Sequence, residues 1–323
     1  MKNILIIHTG GTISMLEDKE TGTVSTTNNH PLIDMSPIIK QIANIEEVNL
    51  FNLPSPHITP VHMLELGAMI DKKLSTNLYN GVVITHGTDT LEETAYFLDL
   101  YLQTRKPVVL TGAMRSSNEI GSDGLYNLLS SVRVASSDEA NDKGVLVVMN
   151  DEIHTGRNVT KTSTSNVATF QSPQFGPIGI ITKELVYFHQ KLIAHQSYPI
   201  KSLNKKVALL KAYAGLDGTL IDAIYHSKFD GLVIEGLGQG NLPKEAILSL
   251  QHLIAGGIPI VLVSRCYQGT VQPTYSYQGG GKHLHELGII FTNGLTGPKA
   301  RIKLMIALEK TNNFAKLTEM FDT

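Results

Sequence analysis

The sequence predicts an α/β protein: a larger N-terminal domain with a mostly parallel sheet and helices on both faces, followed by a smaller C-terminal α/β domain. Three observations carry that prediction. Short apolar runs rich in Ile and Val recur at Ile4 to Ile7, Gly81 to Thr85, Val108 to Leu110 and Val145 to Met149, and such unbroken runs suit strands buried on both faces. Segments of helical spacing lie between them, as in Leu91, Ala95, Leu98 and Leu102, and strands alternating with helices build a parallel sheet covered on both sides. A length of 323 residues allows a large core and two domains. The expected boundaries are a catalytic domain over 1–190, a linker over 191–206 containing the polar run Ser202 to Lys206, and a second domain over 207–323.

The first strand stops at Thr9-Gly10-Gly11-Thr12-Ile13. Paired glycines allow backbone approaches that a Cβ would block. Open α/β sheets bind ligands at the C-terminal ends of their strands, so Thr12 is a candidate nucleophile as well as an ordinary turn residue. From Ser14 to His30 the chain is polar, with neither helix nor strand spacing. It reads equally well as a mobile lid over the turn or as a surface hairpin.

Pro37 to Ala43 suggests a short helix and Val48 to Phe51 a strand. Pro54-Ser55-Pro56-His57 suggests a rigid turn, and Val61 to Leu74 a helix with Leu64, Gly67, Ala68 and Leu74 on one face. The opening design then recurs: Gly81 to Thr85 runs into His86-Gly87-Thr88-Asp89-Thr90. Thr90 and Glu93 have the spacing of a capping box. A third strand ends at Thr111-Gly112-Ala113, and Ser122-Asp123 would cap a helix bearing Leu125, Leu128, Leu129 and Val132. The fourth strand ends at Asn150-Asp151. Several strand ends thus carry small polar residues able to converge. Lys161 lies in a polar loop between Thr160 and Thr162, where a lysine is ordinarily solvated.

Beyond the linker, Val207 to Leu210, Gly231 to Glu235 and Pro259 to Val263 read as buried strands. A helix over Pro243 to Ala255 has proline near its start and glycines after its end. Pro298 to Glu309 suggests a final helix. The turn Gly236 to Asn241 lacks the glycine spacing and the acidic residue of a dinucleotide site.

Bulk properties narrow the function. A net charge of −2 offers no basic surface for nucleic acid. No apolar run approaches the ~20 residues of a membrane span. The start carries too short an apolar run for a secretion signal, which suggests a cytoplasmic protein. The single cysteine, Cys266, follows a buried strand and reads as inert packing. His283, His285, His57 and His62 lack zinc-site spacing and read as surface or loop residues, so neither metal nor cofactor is expected.

Taken together, Thr9 to Ile13, His86 to Thr94, Thr111 to Arg115, Ser122 to Gly124, Gly156-Arg157, Thr160-Lys161 and Gly240-Asn241 resemble the bacterial L-asparaginases, in the family's order along nearly the whole chain. The resemblance implies hydrolysis of L-asparagine to L-aspartate and ammonia, with minor glutaminase activity as an option. It implies Thr12 as nucleophile of an acyl-enzyme, and Thr88, Asp89 and Lys161 as a hydroxyl–carboxylate–amine group. An unassisted threonine needs a base. Burial would favour a neutral Lys161, whereas Asp89 would favour its charged form. By the same resemblance the backbone N–H groups of Thr12 and Thr88, in the turns of Gly11 and Gly87, stabilise the oxyanion. Asp89 binds the substrate's α-ammonium, Ser55 its α-carboxylate, and the Ala113 carbonyl its amide. Asn241 reaches the site of a neighbouring subunit in a homotetramer, or a dimer.

Three departures stand out. No tyrosine precedes Tyr79, with Thr23 in the place of the usual lid tyrosine; Pro56 follows the serine where secreted members carry glutamine; and Cys266 to His285 holds no acidic residue. A different proton relay and looser hold on the substrate's ammonium are therefore expected. Two other readings within reach are an ammonia-supplying subunit of a tRNA-dependent amidotransferase and a non-catalytic asparagine sensor. The near-neutral charge and the lack of an appended RNA-binding segment argue against the first, and the joint presence of both threonines, Asp89 and Lys161 against the second.

Overall fold

The computed structural model describes residues 1–18, 20–26, 36–192 and 196–322, which divide into two units, Met1–Pro199 and Ile200–Thr323. In the first unit, β1 (Asn3–His8), β4 (Asn44–Asn49), β5 (Gly81–Thr85), β6 (Val108–Thr111) and β7 (Val145–Met149) run parallel. They are joined by the helices α1 (Ser36–Ile39), α2 (Pro60–Ser75), α3 (Leu91–Tyr101) and α4 (Gly124–Ser136). From β7 the chain reverses through Asn150 and Asp151, both at positive φ, the conformation of a tight hairpin turn. It then adds β8 (Glu152–Thr155), β11 (Gly179–Ile181) and β12 (Val186–Phe188) antiparallel. The eight strands lie in the order β12-β11-β8-β7-β6-β5-β1-β4.

Alternation along each strand sends successive side chains to opposite faces. Ile4, Ile6, Val83, Val109, Leu146 and Val148 share one core with Leu128 and Val132 of α4. Leu5, Ile7, Val82, Ile84 and Val108 alternate with them and are just as buried, as the continuous apolar runs predict. The edge strand β4 differs. It begins at Asn44, earlier than the Val48 expected, because pairing with β1 alone leaves it exposed enough to carry Asn44, Glu46 and Glu47. In α2 the buried stripe is Met63, Leu66, Gly67, Ile70 and Leu74, while Ala68 is exposed and Leu64 only half-buried.

Within the polar segment after β1, β2 (Met15–Glu17) and β3 (Val24–Thr26) form an antiparallel hairpin. Residue 19 and residues 27–30 of the expected lid lie outside the described residues. A second hairpin pairs β9 (Thr160–Lys161) with β10 (Phe170–Gln171).

The second unit has a parallel sheet in the order β13 (Val207–Lys211), β14 (Gly231–Gly236), β15 (Ile260–Ser264), β16 (Ile290–Phe291). Its helices are α5 (Thr219–His226), α6 (Ile247–Ala255), α7 (Gly281–Glu286), α8 (Gly297–Lys310) and α9 (Phe314–Phe321). The helix expected from Pro243 starts with a 3-10 turn, Lys244–Ala246, before α6. The expected final helix, α8, is followed by α9, capped by the Asn313 side chain accepting from the Lys316 N–H. Cys266 is exposed, not packed, since the chain leaves the core after Val263. His62 and His283 each accept a backbone N–H, from Thr59 and Gly279, in the first turn of α2 and α7. Among the described residues no three His, Cys, Asp or Glu side chains are grouped as a metal would require, and no helix is long and apolar enough to cross a membrane.

Candidate active site

In the large sheet β1 is flanked by β4 on one side and β5 on the other. The chain therefore leaves β1 toward one edge and returns to continue toward the opposite edge. Connections leave the C-terminal ends of β1 and β5 in different directions, and a crevice opens between them. This is the switch point where open α/β sheets bind ligands. Both threonine turns stand at its mouth, one at each strand end.

How closely they approach is set by glycine. Gly11 has φ 86 and ψ 179, a backbone region open in practice only to glycine. A Cβ on Gly11 would stand 2.2 Å from the Gly87 Cα and 2.3 Å from the Gly87 N. The two backbones are therefore in direct contact. A Cβ on Gly87 would in turn meet the Ser55 Cβ and Oγ at 2.7 Å. The segment carrying Ser55 is drawn in because the Leu53 N–H donates to the Thr9 carbonyl at 3.1 Å. Ser55 is buried, its Oγ accepts the Asp89 N–H at 3.1 Å, and its carbonyl accepts the Thr90 hydroxyl at 2.8 Å. That last bond replaces the expected capping box: the Thr90 side chain turns toward Ser55 and does not cap α3.

Thr12 follows in a single 3-10 turn, Thr12–Ser14, half-buried. Thr88 is buried, and its Oγ1 accepts from the Lys161 Nζ at 2.9 Å. The same Nζ donates to the Asp89 Oδ1 at 2.7 Å. The Lys161 side chain is 17% exposed and that of Asp89 58%, so the pair sits at the rim, lysine inward and carboxylate outward. The solvated lysine expected from a polar loop is not what forms. Pairing of Thr160 and Lys161 with Gln171 and Phe170 fixes the loop as a hairpin and directs Lys161 onto Thr88.

The third glycine turn leans on the second: a Cβ on Gly112 would meet the His86 carbonyl at 2.6 Å and the Thr88 Cγ2 at 3.3 Å. Ala113, buried, follows it. Asp123, expected to cap α4, makes no such bond. Its carboxylate instead accepts the N–H groups of Met114 and Arg115 and the Asn127 amide, at 3.0–3.1 Å. It thereby pins the turn carrying the Ala113 carbonyl. The sequence reading missed this function because Asp123 also precedes a helix, where a cap is the ordinary expectation.

His86 is a second residue whose role was not foreseen. Fully buried, its pKa is pushed down to about 4 by desolvation, so the ring is neutral near pH 7. Its Nδ1 lies 2.7 Å from the Gly87 carbonyl oxygen and its Nε2 3.0 Å from the Thr94 hydroxyl. A carbonyl can only accept, so Nδ1 carries the proton and Nε2 accepts from Thr94.

The first unit thus brings together Gly11, Thr12, Ser55, Gly87, Thr88, Asp89 and Lys161, with Ala113 on the adjoining turn. Asn241 belongs to the second unit. There its backbone N–H and carbonyl both bond Leu237, and its Oδ1 accepts the Gly281 N–H at 3.1 Å.

Residues 3–194 match the family described as "Asparaginase, N-terminal", and residues 206–321 match the "Glutaminase/Asparaginase C-terminal domain". The chain is 38% identical to a "Probable L-asparaginase" of Deinococcus radiodurans over 95% of its length and 93% of the relative's. It is 34% identical to the "L-asparaginase" of Bacillus licheniformis over 95% of both. The crystal structure of a "Probable Cytoplasmic L-asparaginase" from Campylobacter jejuni is similar with a TM-score of 0.88 at 36% identity, covering 99% of each chain.

Proposed function

The chain belongs to the asparaginase/glutaminase family and is an enzyme of the L-asparaginase kind, and from that premise we propose that it hydrolyses L-asparagine through Thr12, with Thr88, Lys161 and Asp89 handling protons. The observation that carries this reading is the contact of the Gly11 and Gly87 backbones, which holds the two threonine turns against one another at the switch point of the sheet.

In this mechanism the Thr12 hydroxyl attacks the carbonyl carbon of the side-chain amide. The C–N bond breaks, ammonia leaves with the added proton, and an aspartyl ester of Thr12 remains. Water then attacks the ester carbon, giving up a proton through the Thr88–Lys161 pair, and the C–O bond breaks to return Thr12 its hydroxyl. The oxyanion formed at each addition is met by the Thr12 and Thr88 N–H groups, and one such donor contributes on the order of 3 kcal/mol. The exposed Asp89 carboxylate receives the substrate's ammonium, Ser55 faces its carboxylate, and the Ala113 carbonyl receives the amide N–H. Asn241 completes the site of a neighbouring protomer in a homotetramer or dimer. The protein acts in the cytoplasm, as the name of the Campylobacter jejuni relative suggests for that protein. Glutamine, longer by one methylene, is a minor substrate, a difference of ~1–3 kcal/mol.

Ammonia release from L-asparagine by the purified protein, with neither ATP nor tRNA present, tests the proposal. Activity that appears only with charged tRNA would point to an amidotransferase subunit, and binding without turnover to a sensor.

A further inference from the structure

The hydrogen bond from His86 to Gly87 bears on the residue that follows. A peptide unit is planar and trans, so its C=O and N–H point in opposite directions. The carbonyl of the Gly87–Thr88 peptide is held inward by the His86 Nδ1–H at 2.7 Å. The N–H of the same peptide, that of Thr88, is therefore directed away from His86. Among the described residues no acceptor takes that N–H.

We propose that His86 is a positioning residue: by gripping the Gly87 carbonyl it aims the Thr88 N–H at the substrate's oxyanion. The inference rests on the reading of Thr88 as an oxyanion donor given above, and adds what fixes that donor in place. Some device is needed, because a glycine on one side of a peptide leaves that unit unusually free to rotate. The device is anchored in the core. Thr94 lies in α3, is fully buried, and donates to the His86 Nε2 at 3.0 Å. That bond fixes the tautomer with its proton on Nδ1, which donates to Gly87. Alignment of a rigid helix is thereby transmitted through one neutral ring to one backbone N–H. Preorganised donors of this kind need no rearrangement during reaction.

Two substitutions separate the two ends of the ring. The side-chain amide of His86→Asn can place an N–H near the Nδ1 position and keep the bond to Gly87. That of His86→Gln reaches toward the Nε2 position and loses it. Steady-state kinetics of the full-length protein with L-asparagine, alongside urea unfolding, should show kcat of His86→Gln reduced about tenfold or more with KM within about threefold of the parent. The expectation for His86→Asn is kcat within about threefold. A folded His86→Gln with the parent's kcat, or a His86→Asn equally impaired, would overturn the proposal. If His86→Gln does not fold, nitrogen-15 NMR of the parent decides: a neutral ring protonated on Nδ1 at pH 7 supports it, and a proton on Nε2 refutes it. A parent protein that releases no ammonia from L-asparagine would fail the functional reading itself. An active parent matched by His86→Gln would fail this inference alone.

Discussion

Gly11→Ala is the most demanding test of the geometry. The added methyl would lie 2.2 Å from the Gly87 Cα, against about 3.4 Å for an ordinary contact. The two backbones would have to part by about 1.2 Å. Neither partner is a flexible side chain, so the displacement falls on the turns themselves. Holding alanine at φ 86 and ψ 179 costs about 1–3 kcal/mol, and crowding at a packed site about another 1–3 kcal/mol. A combined loss of about 2–6 kcal/mol should be visible in urea unfolding. A misplacement near 1 Å between reacting groups is worth about a hundredfold in rate. Ammonia release from L-asparagine should therefore fall by about two orders of magnitude in whatever fraction remains folded. Parent-like turnover in a protein of parent-like stability would refute the claim that the Gly11–Gly87 contact sets the site.

Lys161→Met keeps the length of the side chain but loses its bonds to Thr88 and Asp89. Its kcat should drop by several orders of magnitude in a folded protein, and unfolding on circular dichroism would instead make Lys161 structural. Asp123→Ala leaves the Met114 and Arg115 N–H groups without their acceptor and leaves the Asn127 amide only its bond to the Gly112 carbonyl. About 2–3 kcal/mol of stability should be lost, together with activity as the Ala113 turn loosens, and an unchanged urea midpoint would dismiss that role. His86 titrates at about 4 when folded, below its ordinary 6.5, so the unfolded chain binds more protons between those values. Its contribution is complete above pH 6.5 and declines by up to about 3 kcal/mol toward pH 4. Urea unfolding across this range should show a steeper acid loss for the parent than for His86→Asn, and equal slopes would contradict it.

The strands and their glycine turns were legible because their signals are local: an apolar run, then residues that permit a sharp turn. The helix stripe of α4 was legible for the same reason. What escaped depends on partners distant in sequence. Lys161 has an ordinary polar context, so its own segment gives no sign of the site and only the family resemblance names it; the β9–β10 hairpin turns it onto Thr88, 73 positions away. Asp123 stands where a cap belongs, yet bonds the loop before it. Thr90 likewise gave up its cap for Ser55, 35 positions earlier. The missed α9 was a different failure, since Asn313 ahead of Phe314, Leu317 and Phe321 is a readable start for an amphipathic helix.

The proposed mechanism turns on acylation of the Thr12 hydroxyl. Acid quench of the protein during turnover of L-asparagine, followed by peptide mass spectrometry, tests it most directly. An aspartyl ester on the peptide containing Thr12, absent from Thr12→Ala, is the predicted result. An ester on Thr88 or on another residue would contradict the account.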